Sequence, residues 1–298
     1  MTDRNTKATL AALIVNIIFG FSFMFSKIAL RYAHPLVILS VRFTVAFLCL
    51  NLLWFLGIVK MSFRGKPRGR LLLMALAQPM LYFSFELYGV EHTSSAISGV
   101  IISLVPVAVI VLSTILLREK PTLSQVMFSL LSLSAIVAIS LLSDNTGENS
   151  LLGILLLLLA VLADAVYIIL SRSESAHYSP FERTYIMFLV GTVGFNLMAL
   201  LSLRGGWVGE VLSAVTKPSF WGAILYLSVL SSIVAFMLSN YSTSVLTPVR
   251  TTSFSNLITL VSVLAGVFIM GESLSLPQLV CCALIVVGVV GVNRQQEG

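Results

Sequence analysis

The sequence predicts an all-α membrane protein of ten transmembrane helices arranged as two inverted five-helix repeats. Three observations carry this expectation: an apolar composition, ten apolar runs with punctuated ends, and a lopsided placement of Lys and Arg. Of 298 residues, 58% are apolar and only 10% charged, with a mean hydropathy of +1.02. A water-soluble domain carries about a quarter of its residues charged, and a chain this apolar has more oily surface than its polar groups can cover. Roughly 20 apolar residues cross the hydrocarbon, so the length suits ten spans with short connections and leaves no separate soluble catalytic domain.

Taken in order, the predicted spans are 8–30, 36–59, 71–90, 95–117, 123–142, 151–170, 184–203, 219–239, 249–270 and 277–293. Helices are required because lipid cannot satisfy open backbone groups, and the alternation expected of barrel strands is absent. The first run follows Arg4 and Lys7 as in a signal peptide, but it continues to about Leu30 without a small-x-small cleavage site. It reads as a retained first span. Cys49, Cys281 and Cys282 all fall inside apolar runs and read as small apolar fillers, not as a disulfide or metal framework.

Orientation follows from the basic residues. With the N-terminus in the cytoplasm, the inner segments hold Arg4, Lys7, Lys60, Arg64, Lys66, Arg68, Arg70, Arg118, Lys120, Arg172, Arg183, Arg250 and Arg294. The outer loops hold Arg31, Arg204 and Lys217, and the acidic loop from Asp144 to Asn149 also falls outside. This is the positive-inside pattern of a chain with both termini in the cytoplasm. The net charge of +6 therefore orients the chain in a lipid bilayer and does not point to nucleic acid.

The halves repeat. Glu119-Lys120-Pro121-Thr122-Leu123-Ser124-Gln125 aligns with Glu272-Ser273-Leu274-Ser275-Leu276-Pro277-Gln278, and Tyr88 falls on Tyr241 at the same offset. His34-Pro35 and Ser179-Pro180 open the second helix of each half. An odd number of spans per half places the copies in opposite orientations, a pattern of transporters whose solute site lies near the midplane between the repeats. The expected division is 1–145 and 146–298.

Phe19-Gly20-Phe21-Ser22-Phe23 with Lys27, Pro35 with Arg42, the run from Tyr88 to Ala96, Pro106, Glu119, Pro180, Tyr241 and Gly271-Glu272 together resemble the drug/metabolite transporter superfamily, specifically its EamA-type ten-helix permeases. Phe19 stands where that family usually has Trp, and Thr259 where a Pro like Pro106 is expected. The resemblance implies a basket around a central cavity, with the last helix of each half at the periphery. It also implies export or exchange of amino acids or related metabolites across the bacterial inner membrane.

Intramembrane charges are costly and mark function by default. Asp164, with apolar neighbours and with Tyr167 and Ser171 on its face, needs a partner or a water-filled cavity. Glu86 stacks with Tyr82 and Gln78 at four-residue spacing on one face of the third helix, where a carboxylate can hold an ammonium or carry a proton. Arg42 offers a bidentate clamp for a carboxylate or a structural pair. Lys27, near the outer end of its helix, snorkels or serves as a gate. Asn16, Phe23 and Asn256 are candidates for the cavity wall, against the plainer reading that small and polar residues simply let helices pack. Glu119 and Glu272 read as structural helix-end residues.

The substrate is a small molecule, and coupling to protons or to a counter-solute is open. An intramembrane enzyme is disfavoured: His34, His92 and His177 are isolated at helix ends, no Gly-x-Ser-x-Gly elbow exists, and Asp164 is the sole midspan Asp. No nucleotide, metal or other cofactor motif is present. A channel-like facilitator or a membrane interaction protein is the alternative, though rings of like groups at a pore are missing. A monomer or a homodimer through a Gly288–Gly291 face is expected.

Overall fold

A computed structural model describes residues 3–59, 61–63, 66, 68–117, 122–142, 150–203, 206–246, 251 and 254–294. Their regular structure is all helical, with no strand among the described residues. Lys60, Arg64, Arg118, Glu119, Lys120, Arg204, Arg250 and the 144–149 loop lie outside them.

The helices are α1 (Asp3–Leu30), α2 (Pro35–Phe55), α3 (Gly69–Glu91), α4 (Ser95–Ile102), α5 (Val105–Leu117), α6 (Leu123–Leu142), α7 (Leu151–Glu174), α8 (Pro180–Ser202), α9 (Gly206–Val215), α10 (Pro218–Val245), α11 (Asn256–Leu264) and α12 (Leu276–Arg294). Seven stretches are long and apolar enough to cross a membrane: α1, α2, α3, Ser95–Leu112, α7, α8 and α10. Shorter apolar segments lie within α6, α9 and α12, and one runs from α11 through a π-helical turn to Ile269. Large apolar side chains such as Phe55, Leu201 and Phe268 stand 79%, 75% and 80% exposed, a surface suited to lipid and not to water. The chain is a multi-pass membrane protein.

Local chemistry sets the ends. Pro35 sits in the first turn of α2 behind His34, whose ring accepts from the Leu36 N–H, and α2 stops four residues short of the predicted 59, with Gly57 at positive φ just beyond it. In α8, Ser179 and Glu182 form a reciprocal capping box ahead of Pro180. That cap starts the helix at Pro180, not at 184, and draws Arg183 out of the expected loop into a fully buried position. The predicted fourth span is two helices, because α4 ends at Ile102 and Pro106 lies in the first turn of α5. The expected outer loop between the seventh and eighth spans contains α9. Pro79 lies in a π-helical turn of α3, Leu76–Tyr82, and a second π-helical turn, Tyr226–Val234, interrupts α10.

Packing relates the two halves. α2 lies on α8, and α6 on α12. α1 packs against α10 and α11, while α7 packs against α3 and against α4 and α5. α4 meets α11 where Gly99 leaves room for Ser262, and α1 approaches α11 where Gly20 faces Val261. The small residues thus serve close helix contact. The Gly288–Gly291 face expected to be open is occupied within the chain: both glycines are buried against Phe128 and Ser132 of α6.

Candidate functional site

Six segments of the bundle leave a central cavity among them. It is walled by Asn16 and Phe19 of α1, Gln78 and Tyr82 of α3, Ile102 and Val105 at the α4–α5 break, Asp164 and Tyr167 of α7, Phe236 and Ser239 of α10, and Thr251, Ser255 and Ile258 around the start of α11. Its empty space, open mouth included, is about 670 Å³. Because Ala12 and Val15 also line it, it extends from mid-bundle toward the end where α1 begins.

Five of the predicted residues meet here: Asp164, Tyr167, Tyr82, Gln78 and Asn16. Asp164 is partly exposed to the cavity and joins no ion pair or hydrogen bond among the described residues. Asn16 is held in place by an Nδ2–H bond to the Ala12 carbonyl (2.6 Å). The Tyr167 hydroxyl donates to Asn240 Oδ1 at 3.1 Å. Phe19, Phe236 and Tyr167 form a continuous aromatic wall, with ring centroids 5.4 and 6.1 Å apart.

Arg42 and Glu86 do not reach the cavity. They lie about one helical turn beyond it, toward the end where α1 finishes, in a closed polar layer. Arg42 Nε donates to Ser232 Oγ (3.0 Å) and Nη2 to Ser231 Oγ (3.1 Å). Ser22 Oγ donates to Ser231 Oγ at 2.8 Å. The guanidinium lies 4.3 Å from the centroid of the Phe83 ring, a cation–π arrangement. Glu86 is buried within electrostatic reach of Arg42, and its Oε2 makes no hydrogen bond.

Lys27 lies further along α1 and donates from Nζ to the carbonyls of Val90 (2.8 Å) and Glu91 (3.3 Å) at the C-terminus of α3, where the helix dipole favours a cation. It borders a second opening with Arg31, Glu91 and Glu272. Phe23 is buried in the core beside Gly99. The side chain of Asn256 lies outside the described set, although Ser255 and Ile258 beside it line the cavity. Glu272 does not cap the helix that follows it. Its carboxylate caps α4, accepting from Ser95 N (2.8 Å), Ser95 Oγ (2.7 Å) and Ala96 N (3.0 Å).

A family model described as the EamA-like transporter family matches this chain twice, over residues 6–141 and 151–294. The chain belongs to the EamA-like transporter family. Its place in the drug/metabolite transporter superfamily follows, as the sequence resemblance implies. The Bacillus subtilis protein named "Uncharacterized transporter YcxC" is 38% identical over 296 residues, covering 99% of this chain and 95% of that protein. An "Uncharacterized transporter" of Archaeoglobus fulgidus is 26% identical, covering 93% and 95%. A solved structure titled "Crystal structure of protein" shares the fold, with a TM-score of 0.67 at 16% identity and coverage of 98% and 99%.

Within this EamA-like chain, some wall residues escaped the sequence reading. Ser239 stands two residues before Tyr241 as Glu86 stands two before Tyr88, so the repeat offset itself points to it. The same offset carries Phe236 onto Phe83, Thr251 onto Ser98 and Ser255 onto Ile102, another wall residue. The Arg183 network was also missed. Its Nη1 donates to Ser171 O (2.7 Å) and Ser171 Oγ (2.6 Å), and its Nη2 to the Asn240 carbonyl. Asn240 Nδ2 in turn donates to Thr184 Oγ1 (3.0 Å). Through Asn240 this network steadies Tyr167 at the cavity wall.

Proposed function

We propose that this EamA-like chain is a secondary transporter that exports or exchanges small organic solutes, amino acids or related metabolites, by alternating access. One observation carries the reading: a carboxylate without a protein partner, Asp164, faces a cavity built where the two family-matched segments meet. An intramembrane charge kept without a partner is explained by a transient one. In this reading the chain crosses the inner membrane ten times, α4 and α5 forming one span and α9 none. Both termini are cytoplasmic, and the repeats 1–145 and 146–298 run in opposite senses.

The packing supports inversion, since contacts come in matched pairs: second helix on second, last on last, and each first helix on the third and fourth of the other half. The cavity extends toward the cytoplasmic end, and the Arg42 layer stands on the outer side. A proton or a counter-solute drives the cycle, and the unit is a monomer or homodimer.

The test is flux in proteoliposomes across a metabolite panel, with and without a pH gradient. Saturable movement of at least one solute is expected. Unsaturable leak, or no movement across the panel, defeats the reading. Cysteine labelling of the 144–149 loop checks the topology: it should react only from outside.

A further inference from the structure

The chemistry of the cavity wall is one-sided, and this narrows what can occupy it. Its only charge among the described lining residues is the carboxylate of Asp164, and no Lys, Arg or His is among them. A carboxylate calls for N–H donors and repels an anion.

The rest of the wall suits the same kind of guest. The Phe236 ring packs tilted on Phe19 and edge to face on Tyr167, and Tyr82 lines the cavity as well. Aromatic faces attract a desolvated cation and also cover an apolar body. The Arg42 guanidinium does not line the cavity and bonds through Nε and Nη2 to Ser232 and Ser231, over the Phe83 ring.

We infer that the central cavity recognises the protonated amino group of its solute, with Asp164 accepting from the ammonium and Phe19, Tyr82, Tyr167 and Phe236 enclosing its apolar portion. The inference rests on the transport reading for its setting and deepens it. Amines and amino-group-bearing metabolites bind by their cationic end. A carboxylate on the same molecule finds no described cation in the wall and weakens binding.

The test uses the full-length chain purified in detergent and three probes of one shape: phenethylamine, L-phenylalanine and 3-phenylpropionate. Binding of radiolabelled phenethylamine with a Kd of about 1 mM or tighter is expected, with L-phenylalanine weaker by about tenfold and 3-phenylpropionate failing to compete. Asp164→Asn lowers affinity for the amine by about tenfold or more, the worth of one charge-assisted hydrogen bond. Should a variant not fold, the order of the three probes on the unaltered protein decides the matter alone.

No binding of the amine, competition by the acid as good as by the amine, or a folded Asp164→Asn protein that binds the amine unchanged would each overturn the inference. Proteoliposome flux separates the two readings. Amine-selective binding without flux of any panel solute sinks transport and leaves recognition standing. Saturable flux of acids, indifferent to Asp164→Asn, sinks recognition and leaves transport standing.

Discussion

Asp164 and Arg42 are both intramembrane charges, yet the protein treats them in opposite ways. Arg42 is 2% exposed and held by two serine hydroxyls and an aromatic face. Asp164 has no such partner and borders empty space. A charge enclosed by protein groups fixes helices to one another. A charge left to a cavity is available to a guest. Burial alone does not separate these roles, because what decides is whether the partner belongs to the chain.

That contrast is broken most directly at Arg42. Arg42→Ala strips donors from Ser231 and Ser232 and removes the nearby positive charge from buried Glu86. A loss of about 3–5 kcal/mol is expected, seen as a collapse in folded yield and in the melting temperature in detergent. Arg42→Lys keeps the charge but not the planar fork that reaches both serines, so it should recover only part of the loss. If Arg42→Ala melts as the unaltered protein does, the layer is not a clamp.

Asp164→Asn should do the reverse. It removes a charge that no described residue satisfies, so stability changes by no more than about 0.5 kcal/mol, while amine affinity falls. Melting curves and binding on the same preparation separate the two effects. A large stability loss at Asp164 would mean that the carboxylate serves the fold.

Glu272 lies between these extremes, since its partners are backbone groups. Glu272→Gln keeps an acceptor for Ser95 but turns an amide toward the Ala96 N–H and removes the negative charge at the start of α4. About 1 kcal/mol should be lost, measurable by thermal unfolding with Ser95 left intact.

How much of this was legible follows the same divide. Apolar runs and Pro report directly on where a helix runs and starts, so most helices were found in place. Asp164, Tyr167, Tyr82 and Gln78 were legible because helical spacing stacks them and polar groups stand out in an apolar helix. Glu86 shares their face in sequence, yet one further turn carries it past the cavity into the Arg42 layer, because spacing gives direction around a helix but not depth within a bundle. Arg183 was taken for a loop charge because the Ser179 capping box was not recognised. Glu272 was read as a structural helix-end residue. That it caps α4 depends on which helix ends meet across the halves, and no pattern within one half records this.

The smallest effect tests whether the two ends of the bundle are tied alike. At one end, Lys66 in the α2–α3 connection pairs with Glu182 at 2.7 Å, and Ser62 N–H donates to the same carboxylate (2.7 Å). At the other, Glu210 of α9 accepts from the His34 N–H at the start of α2. In each case the segment joining the second and third long helices of one half holds the N-terminus of the other half's second helix. Lys66 is 26% exposed, so its charge is screened, and Glu182 keeps the Ser62 and Ser179 donors without it. Lys66→Ala should therefore cost about 0.5 kcal/mol or less, and less again at high salt. Glu210→Gln keeps the acceptor for His34 and should change stability by a similarly small amount. Thermal melts at low and high salt check both, and a cost above about 2 kcal/mol at either site would show that the ties at the two ends are not equivalent.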